Sequence, residues 1–278
     1  MPNETTFDYW PIRKSALTTG FAAAVQPVSA EIITTNDDGL FTSEISIPTS
    51  DGDIPGYIAR PINGKEFPIV IVVHEIFGVH EHIKDLARRF AKLGYVAIAP
   101  ELFARQGDVS GITDYSQLTE IVALVPDSQV LSDIDSAVAY GVSESSGDPN
   151  RVAIAGFCWG GRIVWLYAAQ STALKAGAAF YGRLVGQNSE RQPKFPVDVI
   201  ADLKAPVQGF YGGQDHGIPL NTVETVQALI DSAGKDSNIV VYPDAGHAFF
   251  ADYRPSYNAD AANDAWDMLL IWFAKHGV

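Results

Sequence analysis

Cysteine occurs once in this chain of 278 residues, as Cys158, so no internal disulfide can form and cysteine pairing says nothing of the redox compartment. Basic residues are scarce too: 19 Lys and Arg face 33 Asp and Glu, a formal net charge of −14. Gripping a phosphate backbone takes a basic face, so this balance argues against nucleic acid as a partner. No apolar run approaches the ~20 residues of a membrane span. What is present is ordinary globular composition, 47% hydrophobic and 19% charged, enough for one large domain or two small ones.

The single cysteine stands in a telling context. Val152-Ala153-Ile154-Ala155 reads as a buried strand, G-F-C-W-G-G follows from Gly156 to Gly161, and Arg162 to Ala169 reads as a buried helix. Strand, tight G-x-C-x-G turn and helix are the setting of a nucleophile elbow, with Cys where the commoner motif has Ser. On so sharp a turn Gly156 and Gly160 must leave room for neighbouring backbone. A small buried hydrophobe would account for the cysteine but not for the glycines.

The first thirty residues differ from the rest. Arg13-Lys14 precede a mildly apolar stretch over residues 16–25, and Val28-Ser29-Ala30 has the form of a signal-peptidase site. An ordinary amphipathic segment is the alternative. The protein is expected to be periplasmic if this leader functions and cytoplasmic otherwise. Residues 31–278 are expected to form a single domain.

From residue 41 the pattern becomes β. Residues 41–48 and 54–60 alternate around a Ser50-Asp51-Gly52-Asp53 turn, which predicts a hairpin. Buried strands are expected at 68–73, 95–99, 176–181, 207–211 and 239–242. Helices are expected at 81–93, 132–142, 221–232 and 259–275, with a closing turn at 145–149 after the second of them. Residues 107–125 read as irregular, then helical. Residues 182–204, polar and proline-rich, are the candidate rim insertion. Strands alternating with helices predict an α/β protein built on a doubly wound, mostly parallel sheet with helices on both faces.

In an elbow fold of this kind the acid and then the histidine follow the nucleophile. Asp215, in G-G-Q-D-H, and His247, in A-G-H-A-F, each fall just past a predicted strand end, where open α/β sheets bind their ligands. Cys158 is thus the candidate nucleophile, His247 the proton carrier and Asp215 its orienting acid. The amide of Trp159 is the first candidate oxyanion donor. The second is expected from the loop after the early central strand, His74-Glu75-Ile76-Phe77-Gly78.

With that loop the chain resembles the dienelactone hydrolase family of α/β-hydrolases. The matching pieces are E-I-F-G at Glu75 to Gly78, A-R-Q at Ala104 to Gln106, G-F-C-W-G-G, G-G-Q-D-H and A-G-H-A-F, spanning about residues 41–278. The resemblance implies the α/β-hydrolase fold, a small-molecule ester or lactone substrate and no cofactor; it leaves a homodimer open. It further implies that Glu75 hydrogen-bonds the resting cysteine and receives its proton, and that Ile76 gives the second oxyanion amide. A carboxylate so placed keeps a thiol protonated, which also shields it from oxidation.

Two departures bear on substrate. The family's carboxylate-binding arginines are not matched: none occurs between Arg105 and Arg151, and Ala251 stands four residues past His247. Arg105, Arg183 and Arg254 are the candidate replacements, and neutral substrates are expected over carboxylate-bearing ones. Phe77, Trp159, Tyr181 and Phe249 suggest an apolar acyl or leaving group, though each is equally suited to a core. His74, Glu75, His80, Glu81 and His82 have the colour of a metal site but lack H-E-x-x-H spacing, because Gly78 stands where the second His belongs. No metal is expected, and His80 to His82 are read as a solvated helix face. A non-catalytic binding or sensor protein on the same fold is the rival; loss of a triad member would be its mark, and none is lost.

Overall fold

The structure is a computed structural model and describes residues 32–278; the leader-like segment expected at residues 1–30 lies outside the described residues. Eight strands form one sheet in the order β1-β2-β4-β3-β5-β6-β7-β8. β1 (Leu40–Ile47) and β2 (Ile54–Pro61) are the expected antiparallel hairpin, and β2 also pairs antiparallel with β4 (Val96–Pro100). From β4 onward every pair is parallel, through β3 (Phe67–Val73), β5 (Gly147–Phe157), β6 (Leu174–Phe180), β7 (Val207–Gly212) and β8 (Asn238–Tyr242).

The sequence explains the layering. β3 is a continuous β-branched run whose residues 69–73 are fully buried, as a central strand covered on both faces must be. Helices α1 (Glu81–Lys92) and α6 (Ala259–Lys275) share one layer, where Phe90 packs on Trp266 with ring centroids 4.8 Å apart. α3 (Asp127–Ser145) and α4 (Trp159–Gln170) make the other; α2 (Tyr115–Leu124) precedes α3 in the chain, and α5 (Leu220–Ala233) packs on β8. Among the described residues no helix is long and apolar enough to cross a membrane.

One expectation fails in the core. The turn expected at residues 145–149 is only Ser146, the left-handed cap of α3 (φ 57°). Gly147 already pairs with Phe67, and the register then slips before Ile69 meets Val152. Asp148 and Pro149 are therefore a bulged start to β5, where turn-forming residues are tolerated because the ladder is broken.

Candidate active site

Parallel pairing brings the carboxyl ends of β3, β5, β6, β7 and β8 to one edge, and the candidate residues leave from it. Cys158 stands between β5 and α4 with φ 54° and ψ −114°, a conformation that costs on the order of 1–3 kcal/mol for a residue with a side chain. Close packing enforces it. A Cβ on Gly156 would lie 2.3 Å from the Gly160 carbonyl oxygen, and one on Gly160 would lie 2.5 Å from that of Val73. The Cys158 amide donates to the Phe180 carbonyl at 3.0 Å, tying the turn to β6. Trp159, as first residue of α4, has an N–H with no acceptor inside the helix. The amide of Ile76 donates to no described residue either.

His247 lies past β8 and Asp215 past β7, and the two turns are joined because the amide of Gln214 donates to the Ala245 carbonyl. His247 Nδ1 is 2.7 Å from Asp215 Oδ2, and its Nε2 is 3.4 Å from Cys158 Sγ. Asp215 also accepts from the Gly217 amide at 2.8 Å. Burial opposes a charged imidazole, but hydrogen bonds to Asp215 and Cys158 outweigh it and push the His247 pKa up to about 10. Burial likewise raises Asp215, and the His247 partner more than offsets this, leaving it below its ordinary value.

Glu75 is not hydrogen-bonded to Cys158. Its Oε2 accepts from the Tyr253 hydroxyl, and His80 Nε2 stands 3.4 Å from the same oxygen. Although full burial favours the neutral acid, His80, His82 and Tyr253 together bring the Glu75 pKa down to about 2. His74 fixes the backbone here: its Nε2 accepts from the Leu102 amide at 3.1 Å, so Nδ1 carries the proton and donates to the Glu75 carbonyl at 2.6 Å. The His74 ring stacks on Trp159 with centroids 5.5 Å apart.

The reading of His80 to His82 as a solvated face is corrected. Both histidines are buried, His82 Nδ1 lies 2.9 Å from Asp252 Oδ1, and the two rings stack with centroids 6.1 Å apart. Among the described residues no group of three or more His, Cys, Asp or Glu is placed to hold a metal ion. The missed partners are Tyr253 and Asp252, only six and five residues past His247. Their signal was the run Asp252-Tyr253-Arg254, polar residues directly after the buried stretch from Ala248 to Ala251.

Residues 54–277 match the profile of the Dienelactone hydrolase family. The chain belongs to that family. A protein of Methylorubrum extorquens named "Putative carboxymethylenebutenolidase" is 56% identical over 277 residues, 99% of this chain and 95% of its own length. One of the same name from Escherichia coli K12 is 51% identical over 260 residues, covering 93% and 96%. The crystal structure titled "Putative Dienelactone Hydrolase" from Klebsiella pneumoniae superposes with a TM-score of 0.83 at 52% identity, covering 85% of this chain and 99% of that one. The fold is that of an α/β-hydrolase, and the protein is a hydrolase of the ester and lactone class.

The remaining site candidates of this dienelactone hydrolase family member divide. Arg105 is corrected: its guanidinium is spent on Asp133, at 2.7 and 3.1 Å, and on Thr49 and Asp51, so it belongs to a salt-bridged corner. Phe249 is fully buried between Tyr181 and Tyr242 and serves packing. Tyr181 is also fully buried, with φ 37°, but its ring centroid is 5.3 Å from that of His247. Arg254 Cζ sits 5.8 Å over the half-buried Phe77 ring and makes no hydrogen bond or ion pair through its side chain to any described residue. Arg183 is exposed.

Proposed function

We propose that the protein hydrolyses a small carboxylic ester or lactone through a Cys158–His247–Asp215 triad and a thioester acyl-enzyme. The observation that carries this reading is the line Asp215 Oδ2, His247, Cys158 Sγ, at 2.7 and 3.4 Å, ending on a cysteine held in a strained elbow.

Each group has one task. His247 Nε2 takes the proton from sulfur, and the thiolate adds to the carbonyl carbon. Negative charge moving onto the carbonyl oxygen meets the N–H groups of Ile76 and Trp159, the second at the positive end of α4. One such donor is typically worth about 2.7–4 kcal/mol in the transition state. The intermediate collapses, the C–O bond breaks, and the leaving oxygen takes the proton from His247. A water deprotonated by the same imidazole then cleaves the thioester, releasing the acid and returning the proton to sulfur. Asp215 holds the tautomer and supports the imidazolium between these steps. Glu75 is a second carboxylate, whose position decides whether the sulfur is hydrogen-bonded to it or answers to His247. Phe77 and Trp159 favour an apolar substrate body, and Arg254 is the one candidate left for an anionic group.

A panel of activated esters and lactones, assayed with the parent and with Cys158→Ala, tests the reading. Loss of turnover at least a thousandfold is expected in the folded variant. Residual activity within threefold of the parent contradicts the nucleophile assignment.

A further inference from the structure

We infer that His74 is the positioning residue of the oxyanion hole: its ring bridges the segment after β4 to the Glu75–Ile76 peptide and so aims the Ile76 N–H at the substrate carbonyl oxygen. The inference rests on the reading of Cys158 as nucleophile and of the Ile76 and Trp159 amides as oxyanion donors. It adds the side chain that sets one donor and packs against the residue carrying the other.

The bridge follows from what each partner can do. A backbone amide only donates and a backbone carbonyl only accepts. The Leu102 amide therefore requires a lone pair on His74 Nε2, at 3.1 Å, and the Glu75 carbonyl requires a proton on Nδ1, at 2.6 Å. One tautomer of the neutral ring satisfies both ends. Glu101 Oε1 stands 3.4 Å from Nε2, but that carboxylate accepts from the Val79 amide at 2.7 Å and more loosely from the Phe103 amide at 3.5 Å. The His74 ring is fully buried, and Phe103 meets it edge-on with centroids 4.6 Å apart. It cannot turn without giving up two hydrogen bonds in a place that water does not reach.

Peptide geometry carries this hold to the reacting atoms. The Glu75 carbonyl and the Ile76 N–H belong to one planar trans peptide, so they point in opposite directions. Fixing the carbonyl on His74 fixes the N–H on the far side of the same plane. That N–H donates to no described residue. The elbow packs on the same stretch of chain, since a Cβ on Gly160 would lie 2.7 Å from the His74 carbonyl oxygen. The His74 ring also stacks on Trp159, 16° from parallel at 5.5 Å. Both donor residues are thus referred to one buried ring. A donor lowers the barrier only if it is already aimed when charge develops on the carbonyl oxygen. Without the bridge, the Glu75–Ile76 peptide is free to rotate about its flanking bonds and turn its N–H away.

The test uses the full chain and compares two reactions of its single cysteine. Ester turnover builds an oxyanion; alkylation by iodoacetamide, a displacement at saturated carbon, does not. His74→Phe keeps a ring against Trp159 and Phe103 but removes both nitrogens. It is expected to lower kcat/KM for an activated ester about thirtyfold or more, with KM within about threefold and the alkylation rate within about twofold of the parent. A trifluoromethyl ketone matched to the ester, which forms an anionic tetrahedral adduct on sulfur, should lose affinity by the same factor as kcat/KM. His74→Gln, whose amide carries donor and acceptor side by side, should recover turnover to within about fivefold of the parent. His74→Asn, too short to reach Leu102 and Glu75 together, should not. If the folded Phe and Asn variants keep the parent's kcat/KM, or if alkylation falls by the same factor as turnover, the inference is overturned. Should His74→Phe not fold, the Asn and Gln variants decide the matter, and equal turnover in the two overturns it. An active Cys158→Ala would overturn the nucleophile reading and this inference with it; an inactive one beside a fully active His74→Phe would overturn the role of His74 only.

Discussion

Arg162 and Asp127 face each other through two parallel hydrogen bonds of 2.7 Å, both side chains buried, at the start of α4 and of α3. The same guanidinium donates to the Lys194 carbonyl at 2.6 Å and lies 4.7 Å over the Phe195 ring. It therefore clamps the first turn after the elbow to α3 and to the segment after β6. Arg162→Leu strands a buried carboxylate and is expected to cost about 3–5 kcal/mol in urea unfolding. Adding Asp127→Leu should recover much of this. A single variant within about 1 kcal/mol of the parent would show that the pair contributes little.

Asp215→Asn removes the group that supports the His247 imidazolium. A loss in kcat of roughly two to four orders of magnitude is expected, with the fold intact. The pH dependence has a definite sign. The His247 pKa is raised, so its stabilising contribution is full below the ordinary value near 6.5 and fades as pH rises through about 10. In the Asn variant that alkaline fade should move to lower pH. NMR titration of the His247 ring checks it; an unshifted midpoint sinks the proposed coupling.

Gly160→Ala places a methyl group 2.5 Å from the Val73 carbonyl oxygen and 2.7 Å from that of His74, both backbone atoms that cannot yield like a flexible side chain. The elbow or β3 must shift, and with it the spacing of Cys158 from the Ile76 amide. Turnover is expected to fall at least a hundredfold, with a lowered Tm. Gly111→Ala, at a position with open space around it, serves as control and should change neither.

The role proposed for Arg254 bears on what the site does with charge. A neutral ester is expected to be preferred over an anionic one of matched leaving group, since one cation replaces two in a chain of net charge −14. The anionic turnover that remains should depend on Arg254, whose charge-assisted hydrogen bond is worth about 1.5–3 kcal/mol. Arg254→Gln should lower kcat/KM for the anionic ester about tenfold or more while sparing the neutral one. Equal losses on both would show Arg254 to be a packing residue under Phe77.

Much of this was legible in the residues themselves. Cys158, Asp215 and His247 could be placed because each follows a strand whose burial is written in β-branched and small side chains, and parallel pairing carries all three to one edge. The failures share a cause: local composition does not reveal what a polar residue meets across the fold. His80 to His82 read as a wet face, yet both histidines are buried, and Asp252, far along the chain, supplies the charge that meets His82. Arg105 was a candidate carboxylate binder by sequence and is held by Asp133 and Asp51 in space. Likewise Asp148-Pro149 read as a turn because their propensity is for turns, whereas a bulge lets them begin β5.

The most direct test of the central claim is intact-mass analysis of the enzyme quenched early in turnover of a slow-deacylating activated ester. A mass increase equal to the acyl group, mapped to the peptide carrying Cys158 and absent from Cys158→Ala, is the expected result. An acyl adduct on another residue, or full turnover by Cys158→Ala, would contradict a thioester mechanism.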